Sequence, residues 1–332
     1  MATWTGKRAL GRDGVEVSAL GMGCWAIGGP FWRGTKPVGW GEVDDDESVR
    51  AIRRAVELGV TFFDTSDVYG AGHSERVLGR ALAGRRDEVV IATKWGNSFD
   101  ETTKQIVDDD GTTPEYLRGA VEASLRRLGT DRIDLYQLHL SELPIADAEA
   151  LLDALDDLVK TGKIRGYGWS TDSTDRAEAW GRDGAHCVAV QHLLSVLNDA
   201  PELLATCERY GLASVNRSPL AMGLLTGKYG SESTLARDDI RGDAPGWLTW
   251  FRDGRPDPEL LNRIAAVREI LTSDGRTLAQ GALGWIWARS PVTIPIPGCR
   301  TVAQVEENAG ALRHGPLTAA QVEEIGKLLA RS

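Results

Sequence analysis

Four side chains in this sequence could act together on a proton. Asp64 ends the apolar run VTFF, Lys94 ends VVIAT, and His139 follows DLYQL, while Tyr69 lies just beyond Asp64 and is followed at once by Gly70. A phenol has an ordinary pKa of about 10, too high for an efficient proton donor near neutrality. A neighbouring ammonium stabilises the phenolate and lowers that pKa. Lys94 could tune Tyr69 in this way, with Asp64 paired to Lys94 so that the ammonium stays charged and oriented. An imidazole at His139 could hold a substrate oxygen beside the phenol. A phenol that donates to a developing alkoxide, flanked by a donor imidazole, suits the reduction of a carbonyl group. Each residue alone has a plainer role: an N-cap for Asp64, a half-buried ring for Tyr69, a snorkelling chain for Lys94, a structural histidine for His139. Their common place at the ends of short apolar runs is what joins them.

Those runs belong to an alternating pattern. The segments SALGMG, VTFFD, EVVIATK, IDLYQLH, IRGYGWS, HCVAVQ, GLASVN and VTIPIP read as strands, and amphipathic helical stretches separate them. Helix starts such as TPEY and stops such as ELG, RLG and KTG carry proline and glycine where helix ends favour them. Eight strands, each followed by a helix, predict an α/β fold, a (β/α)8 TIM barrel, with an N-terminal β-hairpin turning at Arg12-Asp13-Gly14. In such a barrel the four residues share the rim at the C-terminal ends of the strands. A doubly wound sheet would need a glycine-rich phosphate turn after its first strand, and GMGCWAIGG is not one. No Pro/Ser-rich linker divides residues 1–332, so one domain is expected.

Residues 24–43, 95–113 and 227–257 form long loops, and loops of that length are usually functional or disordered. They are rich in large aromatics, and Trp25, Trp32, Trp95 and Trp250 are expected to wall a substrate pocket over the rim, with Trp25 also packing its loop. Indoles beside Asp and Arg suit bulky aromatic, cyclic or sugar carbonyl compounds.

Composition narrows the partners. The chain has 332 residues, 42% hydrophobic and 26% charged, with a formal charge of −10. That balance argues against a nucleic-acid or anionic-membrane surface. The N-terminus has no apolar signal-peptide core, no run approaches a membrane span, and the four cysteines are scattered without a CxxC pair. A cytoplasmic protein acting on a small carbonyl molecule is expected, with its oligomeric state open. Asp44, Asp45 and Asp46 read as helix capping, and Asp108, Asp109 and Asp110 as a solvated turn, so no metal is expected.

The segments FFDTSDVYGAGHSERVLGRAL, ATKWG, IDLYQLH, GYGWS, VQ, SPLAMGLLTGKY and IPIPGCRTVAQVEEN resemble the aldo-keto reductase superfamily, in order and at matching intervals, over about residues 8 to 325. The resemblance implies a (β/α)8 barrel that binds NADP(H) extended across its C-terminal face. It places the family's tetrad on Asp64, Tyr69, Lys94 and His139. It puts Ser170 and Gln191 on the nicotinamide carboxamide, with Thr171 where the family usually has asparagine and Arg217 where an aromatic often stacks. Ser218, Leu220, Gly223 and Lys228 would follow the pyrophosphate. Gly298 leads into the last barrel helix, where Arg300 and Gln304 match contacts to the 2′-phosphate and Glu307 and Asn308 match contacts to adenine. An arginine fork prefers phosphate to a hydroxyl, so NADPH is expected over NADH. Two other readings stand beside an NADPH-dependent carbonyl reductase. One is a lyase forming a Schiff base on Lys94; the other is a non-catalytic NADP(H)-binding regulatory subunit.

Overall fold

The computed structural model describes residues 4–243 and 245–330, with the backbone alone at 108–110. Eight strands lie side by side in parallel and in chain order: β1 (Gly21–Gly23), β2 (Phe62–Asp64), β3 (Val90–Trp95), β4 (Ile133–Leu138), β5 (Ile164–Ser170), β6 (Cys187–Leu193), β7 (Ala213–Arg217) and β8 (Thr293–Pro295). The sheet closes on itself where Gly23 bridges Gly298 and its N–H donates to Pro297 O at 3.0 Å. Glycine is required at that seam, because a Cβ on Gly23 would stand 2.7 Å from Ile296 O. All eight strands expected from the sequence are present, and they form the expected barrel.

Eight helices cover the barrel: α1 (Asp45–Glu57), α2 (His73–Leu82), α3 (Pro114–Leu128), α4 (Leu152–Lys160), α5 (Thr174–Asp183), α6 (Pro201–Tyr210), α7 (Leu278–Arg289) and α8 (Val302–His314). Asp44 caps α1 by accepting from Asp46 N and Glu47 N, and Thr113 caps α3 ahead of Pro114, as the sequence indicated. The hairpin of Lys7–Leu10 and Val15–Ser18 plugs the opposite end of the barrel.

The alternation of strand side chains divides the core in two. Phe62, Val90, Ala92, Leu135, Ala189, Val215 and Ile294 fill the interior together with Leu10 and Val17 of the hairpin. Phe63, Ile91, Trp95, Tyr136, Leu138 and Val190 point outward into the layer shared with the helices. Continuing the inward set by one step along each strand reaches Asp64, Lys94, Gln137, Gln191 and Arg217. One parity rule thus gathers the polar residues at the top of an apolar barrel.

The long loops are more ordered than the sequence suggested. Lys36–Pro37, Trp32–Arg33, Gln105–Asp110 and Asn97–Asp100 form a small sheet in that order, joining the loops after β1 and β3. Asp108, Asp109 and Asp110 therefore belong to a strand paired with Asn97–Asp100, not to a turn. The loop after β7 carries a short hairpin, Phe251–Arg252 with Arg255–Pro256, and meets the first loop where Ile240 N donates to Gly39 O at 2.9 Å. Among the described residues no helix is long and apolar enough to cross a membrane.

Candidate active site

The centre of the rim is a buried ion pair. Lys94 Nζ, at 0% exposure, lies 2.6 Å from Asp64 Oδ1, 2.7 Å from Thr65 O and 3.3 Å from Tyr69 Oη. The other oxygen of Asp64 accepts from Gln137 Nε2 at 3.0 Å and Gln191 Nε2 at 2.7 Å. A buried carboxylate and ammonium persist only when each is paired and further hydrogen-bonded, and here both conditions hold. Burial alone would push Lys94 down, but the Asp64 carboxylate offsets it and holds the ammonium above its ordinary value.

Tyr69 is placed by a tight turn after β2. Gly70 has φ +62°, and a Cβ there would stand 1.8 Å from Gly28 O, so the loop after β1 packs directly on this turn. The phenol ring stacks on Trp25 with centroids 5.8 Å apart and meets the His139 ring edge-on at 5.7 Å. Lys94 lowers the Tyr69 pKa as expected, but the net direction is upward. Burial raises it above the ordinary value, and the ammonium opposes that rise without cancelling it. Tyr69 is thus a protonated phenol at neutral pH, with a cation ready to receive its negative charge. His139 is held well below its ordinary value by burial and by the positive charges of Lys94 and Arg217, so its ring is neutral.

Three of the four, Asp64, Tyr69 and His139, open into one cavity of about 1220 Å³. Its lining runs from Asp64, Tyr69 and His139 past Ser170, Gln191 and Arg217 to Ser218, Leu220, Gly223 and Lys228, and on to Gly298, Arg300, Gln304, Glu307 and Asn308. Every tetrad and cofactor position read from the sequence borders this space except Lys94, which lies beneath it, and Thr171. Thr171 is buried, and its hydroxyl donates to Ser141 O at 2.8 Å, so it holds a loop and does not face the cavity.

Several roles are more specific than the sequence could give. Gln191 spends its amide N–H groups on Asp64 and on Gln137 Oε1, which leaves its own Oε1 as an acceptor. Arg217 forms an ion pair with Asp172, and the other oxygen of Asp172 accepts from Leu193 N at 2.7 Å. The arginine that stands in the aromatic position is therefore fixed in place by the aspartate that follows Thr171. Gly223 sits in a kinked turn at φ 98°, beside Met222 at φ 53°. Arg300 reaches across the cavity end to donate to Trp40 O and Glu42 O, while its N–H donates to Gln304 Oε1 at 2.8 Å.

The aromatic wall differs from expectation. Trp25 and Trp250 do line the cavity, and Phe31, Trp40 and Trp247 join them. Trp95 does not. It follows Lys94 on β3, so strand alternation turns it outward, where it is fully buried and stacks on Tyr136 at 5.9 Å. Trp32 is also absent from the lining, being held in the small loop sheet, where it pairs with Gln105 and Pro37. The sequence reading missed Gln137 and Ser66, whose hydroxyl lies 3.1 Å from His139 Nδ1, and gave Asp172 no role of its own. Gln137 could have been found, since it stands two residues before His139 on the same inward face.

A model of the aldo/keto reductase family matches residues 19–330. The aldo-keto reductase yakc of Schizosaccharomyces pombe, whose name specifies NADP(+), is 32% identical over 96% of this chain and 89% of its own length. The aldo-keto reductase YhdN of Bacillus subtilis is 30% identical over 90% of this chain and 86% of its own. Among solved structures, a glycerol dehydrogenase of Gluconobacter oxydans superposes with a TM-score of 0.81 at 30% identity, covering 99% of this chain and 96% of that one. An aldo-keto reductase of Klebsiella pneumoniae solved with NADPH gives 0.70 at 25% identity, covering 99% and 96%. The chain belongs to the aldo/keto reductase family.

Proposed function

We propose that this protein reduces aldehydes or ketones to alcohols with NADPH, Tyr69 giving the proton. The observation that carries this reading is Lys94 Nζ placed between the Asp64 carboxylate and the Tyr69 phenol, beneath a cavity that His139 also lines. The yakc name and the NADPH in the Klebsiella structure support the choice of cofactor.

The residues present fit such a dinucleotide. The cavity exceeds the roughly 300–1,000 Å³ of common small-molecule pockets, at about 1220 Å³. Lys228 borders it with its ammonium over the Tyr229 ring at 4.8 Å, and among the described residues no carboxylate pairs with it. Lys228 and Arg300 would hold the phosphates, Gln191 Oε1 and Ser170 the carboxamide, Arg217 the nicotinamide face, and Glu307 and Asn308 the adenine. When bound, NADPH supplies the hydride.

The rest is done by the chain. Tyr69 donates its proton to the carbonyl oxygen as charge develops there, and the resulting phenolate is stabilised by Lys94. His139, neutral, orients that oxygen. Asp64, Gln137 and Gln191 fix the ammonium. Solvent then returns a proton to Tyr69. A Schiff base would instead need Lys94 as a free amine, and its pairing with Asp64 works against that. Loss of NADPH absorbance when purified protein meets a nitrobenzaldehyde is the direct test. No consumption above background would remove the reductase reading.

Cofactor choice gives a second expected result. Arg300→Ala should weaken NADPH by about 1.5–3 kcal/mol, the scale of a hydrogen bond to a charged group, and leave NADH nearly unchanged. Fluorescence titration with both cofactors measures this. Equal loss for the two would mean that Arg300 only ties down Trp40 and Glu42.

The wall of indoles favours bulky aromatic or cyclic carbonyl substrates over short aliphatic ones. Trp247 is 58% exposed yet lines the cavity, an apolar surface unsatisfied by its own fold. Trp247→Ala should lower kcat/KM for a polycyclic ketone and spare a small aldehyde. Equal losses for both would assign Trp247 to loop structure.

A further inference from the structure

Arg217 and Asp172 form an ion pair in the cavity lining, and the mechanism above gives the aspartate no work. Asp172 follows the end of β5 and is pinned by Leu193 N on β6, while Arg217 ends β7. Across these strands Ser170 pairs with Gln191 and Leu193 pairs with Arg217, so Arg217 stands one pleat above the level of Ser170 and Gln191. Those two side chains would hold the carboxamide. A nicotinamide ring held there, serving a carbonyl at Tyr69 and His139, has the guanidinium as its neighbour. The positive charge of Arg217 is felt at both of those residues, where it favours the phenolate and the neutral imidazole.

We propose that Arg217 and Asp172 are specificity-determining residues for the oxidation state of the cofactor: the guanidinium makes the enzyme hold NADPH more tightly than NADP+, and Asp172 limits that preference. This rests on the reductase reading, with the nicotinamide at Ser170 and Gln191. A reduced nicotinamide ring is neutral, whereas the oxidised ring carries one positive charge. A phenol or indole lying on its face would attract that charge through the ring quadrupole and favour the oxidised state. A guanidinium can stack on a neutral ring but repels a cationic one. Arginine in the aromatic position therefore reverses the direction of the preference.

The side chains of Arg217 and Asp172 are 33% and 49% exposed, so water screens them while the cavity is open. A dinucleotide filling the cavity displaces that water, and the same charges act more strongly in the drier space. Arg217 alone would then penalise the oxidised ring heavily. Asp172 cancels part of that penalty, and the hydrogen bond from Leu193 N keeps its carboxylate from swinging away. The other cations contribute less to the difference. Lys94 is balanced by Asp64 beneath the cavity, and Lys228 and Arg300 would meet phosphates that both oxidation states share. The consequence is a product, NADP+, that leaves more readily than NADPH, which suits work in the reductive direction.

Quenching of tryptophan fluorescence measures the dissociation constants of NADPH and NADP+ in turn, since Trp25 and Trp40 line the same cavity. In the wild type NADP+ should bind more weakly, and a ratio of its constant to that of NADPH at or below one overturns the proposal. Asp172→Asn can still accept from Leu193 N but loses the negative charge, so the ratio should rise about tenfold, a modest figure for one unit charge in a water-poor site. Arg217→Met removes the cation and should lower the ratio about tenfold. Arg217→Lys keeps the charge without the fork and should leave the ratio close to that of the wild type. A purely structural role would weaken both cofactors together. Unchanged ratios in Asp172→Asn and Arg217→Met, with NADPH still consumed against a nitrobenzaldehyde, overturn the proposal and leave the reductase reading standing. Failure of the wild type to bind either cofactor overturns both.

Discussion

Replacing Tyr69 by Phe should lower turnover by the ~10² to 10⁴ that a general acid contributes, with NADPH affinity little changed. The substitution removes one oxygen and keeps the ring, so the stack on Trp25 and the edge contact with His139 survive. Lys94 loses a 3.3 Å partner but keeps Asp64 and Thr65 O, so the protein should lose only about 0.5–1.5 kcal/mol of stability, as for one hydrogen bond. Single-turnover kinetics with enzyme in excess isolates the chemical step. If the variant retains most of the wild-type rate there, Tyr69 is not the acid. The wild-type pH profile carries a related expectation. The Tyr69 phenol is raised above its ordinary value, so it keeps its proton throughout the neutral range. The imidazole of His139 is held well below its own, so it stays neutral over the same range. The reduction rate should therefore run flat across neutrality, with its acid limb well below the ordinary histidine range and its alkaline limb above the ordinary tyrosine one.

Much of this site was legible because the chemistry sits at strand ends. Apolar runs that end in Asp64, Lys94 and the residue before His139 mark where strands leave the barrel, and a parallel barrel puts all such ends on one rim. The same rule, applied with the two-residue period of a strand, would have corrected one error. Lys94 and Trp95 are adjacent, so only one of them can face inward, and burying an ammonium without a partner costs far more than burying an indole. With Asp64 available on the neighbouring strand, Lys94 takes the inside and Trp95 packs outward against Tyr136. Trp32 and Asp108–Asp110 could not be read this way. Trp32 is placed by pairing with Gln105 of a loop far along the chain, and Asp108–Asp110 by a hairpin with Asn97–Asp100 whose strands carry no alternating apolar pattern. The direction of the Tyr69 shift was equally hidden, since it depends on how deeply the phenol is buried. The Arg217–Asp172 pair lies between these extremes. The departure at Arg217 was visible, but not that Asp172 compensates its charge.

The removal of Asp64 should produce the largest loss of stability at the site. Its carboxylate accepts from Lys94, Gln137 and Gln191, and no solvent reaches the ammonium. Asp64→Ala leaves that ammonium with Thr65 O and Tyr69 Oη alone, an uncompensated buried charge, which costs about 3–5 kcal/mol. Denaturant unfolding at neutral pH measures this. The sign of the pH dependence separates lost charge pairing from lost packing. In the wild type the folded-state pKa of Lys94 is raised, so its contribution is fully present below the unfolded value of about 10.4 and is lost as pH climbs through the folded one. In Asp64→Ala, burial without a counter-charge depresses the folded pKa below the unfolded one. The unfolded chain then binds more protons, and stability rises with pH in that window. The gap between wild type and variant should therefore narrow as pH is raised from neutrality toward 10. Adding Lys94→Met to Asp64→Ala removes the stranded charge and should recover most of the loss, because an apolar side chain suits the dry position. A constant gap across pH, with no recovery in the double variant, would show that Asp64 stabilises the barrel by packing and by its two glutamines, and that Lys94 does not depend on it.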